Sequence, residues 1–287
     1  MKIDRLAIIG VGLIGGSFAL ALKQAGAVRE VLGVGRTAAS LELARQHGLI
    51  DRAVDFVEAA QADCILLAMP VGETAAVLAQ LAPHLKAGAI VTDAGSTKAN
   101  VIAAARVALG ARFSDFVPGH PIAGSELNGP AAARADLFQS RKVVLTPEPE
   151  TKGDAQALVK ALWVATGAQV EILEADLHDR IFAAVSHLPH LAAYALVNEL
   201  AQRENSADFF RFAASGFRDF TRIAGSSPEM WRDIALANRD ALVSEMDAYI
   251  AALQALRQRV DSNDASALLT TFSGARVARE RWIKTQD

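Results

Sequence analysis

The chain has 287 residues, 52% of them hydrophobic and 21% charged, with a formal net charge of −3. That length suggests two domains at about 150 residues each, the composition is that of a folded globular protein, and the charge provides no broad basic field for displacing counterions from a nucleic acid. The single cysteine, Cys64, excludes an intrachain disulfide, no apolar run approaches the ~18 residues of a membrane span, and no signal-peptide pattern opens the chain; a cytoplasmic protein with no nucleic-acid or membrane partner is expected.

From Arg5 to about Leu173, short apolar runs alternate with helix-compatible stretches, the pattern of a parallel sheet covered on both faces. The predicted strands are Leu6 to Ile9, Val31 to Val34, Cys64 to Ala68, Ala89 to Thr92, Phe116 to Val117, Lys142 to Leu145 and Gln169 to Ile172. Between them, helices are predicted at Gly16 to Ala25, Ala38 to His47, Glu73 to Leu81, Lys98 to Ala108 and Lys152 to Ala165. After Glu174 the character changes. Asp176 to Gln202 reads as one long apolar helix, kinked near Pro189 because proline lacks a backbone donor, and Met230 to Val260 reads as another. A boundary near residue 173 follows, with domains at 1–173 and 174–287.

The first strand runs directly into Gly10-Val11-Gly12-Leu13-Ile14-Gly15-Gly16-Ser17, a glycine signature between a strand and a helix. In that context the first glycine permits a tight turn, the second lets a pyrophosphate approach the backbone, and the third lets helix and strand pack closely. The helix N-terminus adds amides and a positive dipole end. Gly10, Gly12, Leu13, Ile14 and Gly15 are therefore cofactor-binding candidates, together with Pro70 at the end of the third predicted strand. The fold class expected is α/β, an N-terminal Rossmann-type doubly wound sheet followed by an all-α domain. At the end of the second strand the sequence reads Gly35-Arg36-Thr37, with no acid to accept from a ribose 2′-hydroxyl. Arg36 and Thr37 offer a guanidinium and a hydroxyl to a 2′-phosphate, which favours NADP, with NAD possible.

Four further segments combine polar groups with breakers: Asp93 to Lys98, Gly119-His120-Pro121-Ile122-Ala123-Gly124-Ser125-Glu126, Ser186-His187-Leu188-Pro189-His190, and Arg218 to Asp233. With the glycine loop, their order and spacing resemble the prephenate/arogenate (cyclohexadienyl) dehydrogenase family over essentially the whole chain. The resemblance implies oxidative decarboxylation of prephenate, arogenate or both, with hydride transfer to NAD(P), in tyrosine biosynthesis. No metal is implied, and no metal-ligand spacing is present.

By resemblance, His120 is the base or hydrogen-bond acceptor at the ring hydroxyl, titrating near ~6.5 if unperturbed. Ser96 is the serine that bonds His120 and the same hydroxyl, although a helix cap would look identical in sequence. His187 and His190, three apart on one helix face, are substrate-side candidates, with His190 favoured. Arg222 is the carboxylate clamp, since a guanidinium matches a carboxylate in two parallel bonds, and Glu126 faces the substrate's side-chain end. The family also implies a homodimer through the helical domain, whose apolar residues, Phe209, Phe210 and Phe212 among them, exceed what a few helices bury alone. A β-hydroxyacid dehydrogenase would need a lysine on the long helix after the sheet domain, and none stands between Lys160 and Lys284. A non-catalytic NADP sensor would keep the glycine loop without needing a base, a serine and an arginine clamp.

Overall fold

A computed structural model describes residues 2–124 and 127–285, and by compactness the chain divides into units 1–239 and 240–287. In the first unit β1 (Ile3–Ile9), β2 (Val28–Val34), β3 (Arg52–Ala53), β4 (Cys64–Leu67), β5 (Ile90–Asp93) and β6 (Phe116–Val117) form a parallel sheet of order β3-β2-β1-β4-β5-β6. Helices α1 (Leu13–Gln24), α2 (Ala38–Gln46), α3 (Phe56–Ala59), α4 (Thr74–Leu81) and α5 (Ala99–Leu109) alternate with these strands. Side chains of a strand alternate between faces. Leu6 and Ile8 accordingly join one apolar cluster, with Phe18, Leu22 and Trp163, while Ala7 and Ile9 join another, with Leu67, Leu78 and Val91.

The sequence pattern suggested a single sheet, but two of its predicted strands belong to a second one. There β7 (Gly119–Pro121) pairs antiparallel with β8 (Lys142–Leu145), which pairs parallel with β9 (Gln169–Ile172) after α6 (Gly153–Ala165). β7 carries no apolar run. It is a strand because His120 lies in register with Val144 of β8, so His120 stands on a strand rather than in the loop its breakers suggested.

α7 (Ala175–Phe182), a π turn (Ala183–His187) and α8 (Leu188–Ala201) run on as one helix of 27 residues. The π turn lies immediately before Pro189, where the missing N–H would otherwise break the ladder. By length and composition alone this helix passes for a membrane span. The same helix, however, carries His178, Asp179 and His187, all buried within the protein. After α9 (Ser206–Arg211), α10 (Ser215–Thr221) and a 3-10 turn (Arg222–Gly225) comes α11 (Pro228–Ala237). Ala175, Trp231 and Ile234 join the apolar cluster of Ala7 and Ile9, so these helices share a core with the sheet. The predicted helix Met230 to Val260 is interrupted at Asn238, which is buried and whose Nδ2 donates to the Asp179 carbonyl at 2.8 Å. The second unit holds α12 (Arg239–Asp261), from its second residue, and α13 (Ala265–Ile283).

Candidate active site

The cofactor cradle lies where the strand order reverses, between the carboxyl ends of β1 and β4, the usual ligand crevice of such sheets. Gly10 has φ +93°, and a Cβ there would lie 2.7 Å from the Ala68 carbonyl oxygen, so only glycine lets β1 turn so close to β4. A Cβ at Gly15 would fall 2.6 Å from the Gly10 carbonyl oxygen, which accounts for the packing glycine. At Gly12 the same position is open, with nothing within 4 Å. Gly12 is the N-cap of α1, which has no side-chain cap and no acid in its first turn. Leu13 and Ile14 follow in that first turn, so the terminus presents its amides to a diphosphate without competition. Pro70 follows β4 and opens the 3-10 turn Val71–Glu73.

Arg36 is exposed after β2. The Thr37 hydroxyl oxygen accepts from the Ser40 amide at 3.2 Å and caps α2, which leaves its own proton to donate. Glu229 at the start of α11 has its pKa lowered by its own backbone amide, by Ser227, by Arg232 and then by Arg36, which places Arg36 within electrostatic reach of a carboxylate.

Behind the cradle is a buried polar core. Asp93, at the end of β5, accepts from the amides of Gly95 at 2.8 Å and Gly119 at 3.0 Å, and pairs with Lys98. Lys98 Nζ also donates to the Gly119 carbonyl at 2.7 Å. This pair pins the loop from Ala94 to Lys98 against β7, one residue before His120. Burial lowers the Lys98 pKa and Asp93 offsets part of that shift.

His120 Nδ1 lies 2.8 Å from His178 Nε2, and His178 Nδ1 lies 2.8 Å from Asp179 Oδ1. Burial, with His178, Lys98 and His187 nearby, holds the His120 pKa well below 6.5, so the unperturbed value expected from sequence gives way to a shift toward the neutral imidazole. Ser96 is half-buried in the pinned loop. Among the described residues its hydroxyl makes no hydrogen bond to His120, and its carbonyl instead acts on His187.

The two helical histidines separate. His187 is 1% exposed, with Nδ1 3.1 Å from Asn238 Nδ2. His190 is half-buried and stacks on Trp231 with centroids 3.6 Å apart, while its Nδ1 donates to the Ser186 carbonyl at 2.8 Å. That bond leaves Nε2 as an acceptor. Burial lowers the His190 pKa, and the nearby Arg222 charge lowers it further. Arg222 opens the 3-10 turn Arg222–Gly225, and the carbonyl of the next residue, Ser226, accepts from Tyr194 on α8 at 2.7 Å, so Arg222 and His190 rest on one support. Glu126 lies outside the described residues.

Sequence reasoning missed Asp93, Lys98, His178 and Asp179. Asp93 and Lys98 stood inside a segment singled out for Ser96, and an acid and a lysine flanking a glycine loop are a readable signal. Nothing in Leu177-His178-Asp179-Arg180 marks it apart from any amphipathic helix.

A glycine loop at the sheet's switch point and a buried histidine held by a second histidine and a carboxylate fit a nicotinamide-dependent dehydrogenase. Residues 18–172 match the nucleotide-binding domain of prephenate dehydrogenase and residues 174–274 its dimerization domain. The chain belongs to the prephenate dehydrogenase family. It is 38% identical over 278 residues to the cyclohexadienyl dehydrogenase of Zymomonas mobilis, covering 96% of this chain and 94% of that protein. To the prephenate dehydrogenase of Bacillus subtilis it is 37% identical over 281 residues, covering 96% and 76%. The crystal structure of prephenate dehydrogenase from Aquifex aeolicus with hydroxyphenyl propionate and NAD+ is similar with a TM-score of 0.92 and 33% identity, covering 98% of this chain and 99% of that one.

Proposed function

We propose that the protein oxidises prephenate, arogenate or both, with loss of carbon dioxide, on the route to tyrosine. The bound nicotinamide supplies the hydride acceptor. As hydride leaves the carbinol carbon, the hydroxyl O–H bond breaks toward His120 and its electron pair closes toward a carbonyl. Loss of carbon dioxide returns the carbon–carbon electron pair to the ring, and the aromatic oxygen recovers the proton, so His120 ends neutral. Arg222 and His190 hold the carboxylate-bearing ends, Ser96 bonds the ring hydroxyl, and Glu126 reads the side chain.

One observation carries this reading: His120 is buried with Nδ1 2.8 Å from His178 Nε2, an arrangement that occupies one ring nitrogen, while burial lowers its pKa and favours the neutral imidazole a base requires. Steady-state assays with prephenate and arogenate test it. Turnover of at least one of them is expected, and turnover of neither refutes the reading.

The cofactor preference proposed is NADP over NAD, because Arg36 and Thr37 replace the ribose-binding acid. Arg36→Ala should lower kcat/KM for NADP selectively, and a clear native preference for NAD would overturn this. Residues 1–173 then act as the cofactor domain and 174–287 as the substrate and dimerisation domain of a cytoplasmic homodimer. The exposure of Phe212 and Phe220 in the first unit, at 76% and 48%, and of Leu269 and Phe272 in the second, at 68% and 55%, supports a second copy as the cover for apolar side chains of each unit. Light scattering should give twice the mass of one 30.3 kDa chain.

A further inference from the structure

His120 serves as a base only if the nitrogen facing the substrate is the bare one, and two neighbours decide which nitrogen that is. Asp179, as a carboxylate, can only accept, so the proton on its 2.8 Å bond belongs to His178 Nδ1. Neutral His178 then offers Nε2 as an acceptor, and the proton on the next 2.8 Å bond belongs to His120 Nδ1. His120 Nε2 is left bare. We propose that His178 and Asp179 are positioning residues that lock His120 in the Nδ1–H tautomer and share the positive charge it gains with the substrate's proton. This rests on the reading of His120 as the base.

Several independent observations converge on the pair. Asp179 is held at both oxygens, Oδ1 by the Lys98 amide at 2.8 Å and Oδ2 by the Ala99 amide at 2.9 Å, so the carboxylate sits on the positive end of α5 and cannot swing away. His178 is fully buried. Phe182 packs 4.8 Å from the His120 ring and 4.5 Å from the His178 ring, centroid to centroid, and closes the pair from one side. The other charged or titratable groups acting on the two rings are Lys98 and Asp93, from the segment joining β5 to α5, and His187 from the π turn. Lys98 opposes a cation on either ring, whereas Asp179 favours one, through His178. A histidine buried as deeply as His120 would otherwise be too weak a base to take a proton even transiently. The chain of two bonds ends on a fixed carboxylate, which stabilises the imidazolium that His120 becomes without any heavy atom having to move.

The test joins a tautomer measurement to three substitutions, all in the full-length enzyme with cofactor. Nitrogen-15 NMR of the histidine rings should show His120 protonated at Nδ1 in the parent, and this needs no variant to fold. Asp179→Asn can turn its amide N–H toward His178 and reverse both tautomers. It should lower kcat by roughly 10²-fold, with KM and cofactor affinity within about threefold. His178→Gln keeps a carbonyl that can accept from Nδ1 and should retain about tenfold more turnover than His178→Phe. A proton on His120 Nε2 in the parent, near-parental kcat in Asp179→Asn, or no advantage of Gln over Phe would each overturn the proposal. His120→Asn separates the two levels. If it abolishes turnover while Asp179→Asn does not, the positioning proposal alone fails; if it keeps parental turnover, the base assignment fails and takes the proposal with it.

Discussion

Replacing Lys98 by methionine isolates the buried ion pair beneath the active site. Lys98 is 0% exposed and Asp93 2%. Methionine fills much of the same space but donates nothing. Asp93 would keep its amide bonds from Gly95 and Gly119 at 2.8 and 3.0 Å and lose its counter-charge, and the Gly119 carbonyl would lose a donor at 2.7 Å. Removing one member of a buried pair costs about 3–5 kcal/mol, against at most ~1 kcal/mol for a solvated pair such as Arg203 with Glu199. Urea unfolding at fixed protein concentration measures both, with Arg203→Ala as the control. The double variant Lys98→Met with Asp93→Asn no longer strands a charge and should recover part of the loss. The charge change also reaches catalysis. Lys98 depresses the His120 pKa, behind burial and His178, so its removal should move the acid limb of kcat/KM to higher pH. A single variant within ~1 kcal/mol of the parent, or a double variant less stable than the single, would refute the argument.

His120→Asn should lower kcat by roughly 10²-fold or more with little change in KM. Arg222→Ala should instead raise KM by roughly 10- to 150-fold, the equivalent of the 1.5–3 kcal/mol of a charged hydrogen bond, and an unchanged KM would remove Arg222 from the clamp. Burial lowers the pKa of His120, His178, His187 and His190, that of His187 to about 4. The unfolded chain therefore binds more protons below its histidine pKa, and stability that is full above about 6.5 is lost as pH falls. Each histidine contributes a slope of up to about 1.4 kcal/mol per pH unit across its window; denaturant midpoints that stay level from pH 7 to pH 5 would contradict the burial. Gly10→Ala combines φ +93° with a Cβ 2.7 Å from the Ala68 carbonyl oxygen, and fluorescence titration should show cofactor affinity falling about tenfold or more, since the backbone conformation alone costs ~1–2 kcal/mol.

The sequence by itself determined what depends on neighbours in the chain. A strand running into Gly10, Gly12 and Gly15 must turn and open a helix, because the φ of +93° at Gly10 and the approach of Gly15 to the Gly10 carbonyl are demands set within the motif itself. The main parallel strands were legible from their apolar runs. So was the long helix with its irregularity at Pro189, for a missing N–H acts within one turn. Tertiary structure decided the rest. β7 is a strand only because β8 pairs with it. The helix beyond Met230 breaks at Asn238, whose side chain bonds the Asp179 carbonyl and His187 from 59 and 51 positions away. His187 and His190 sit three apart with the same residue type, yet the first is sealed beside Asn238 and the second stacks on Trp231. His120 receives its partner from 58 positions further along the chain. Hydrogen-bond partners, burial and tautomer are properties of contacts between distant segments, and no spacing within one segment encodes them.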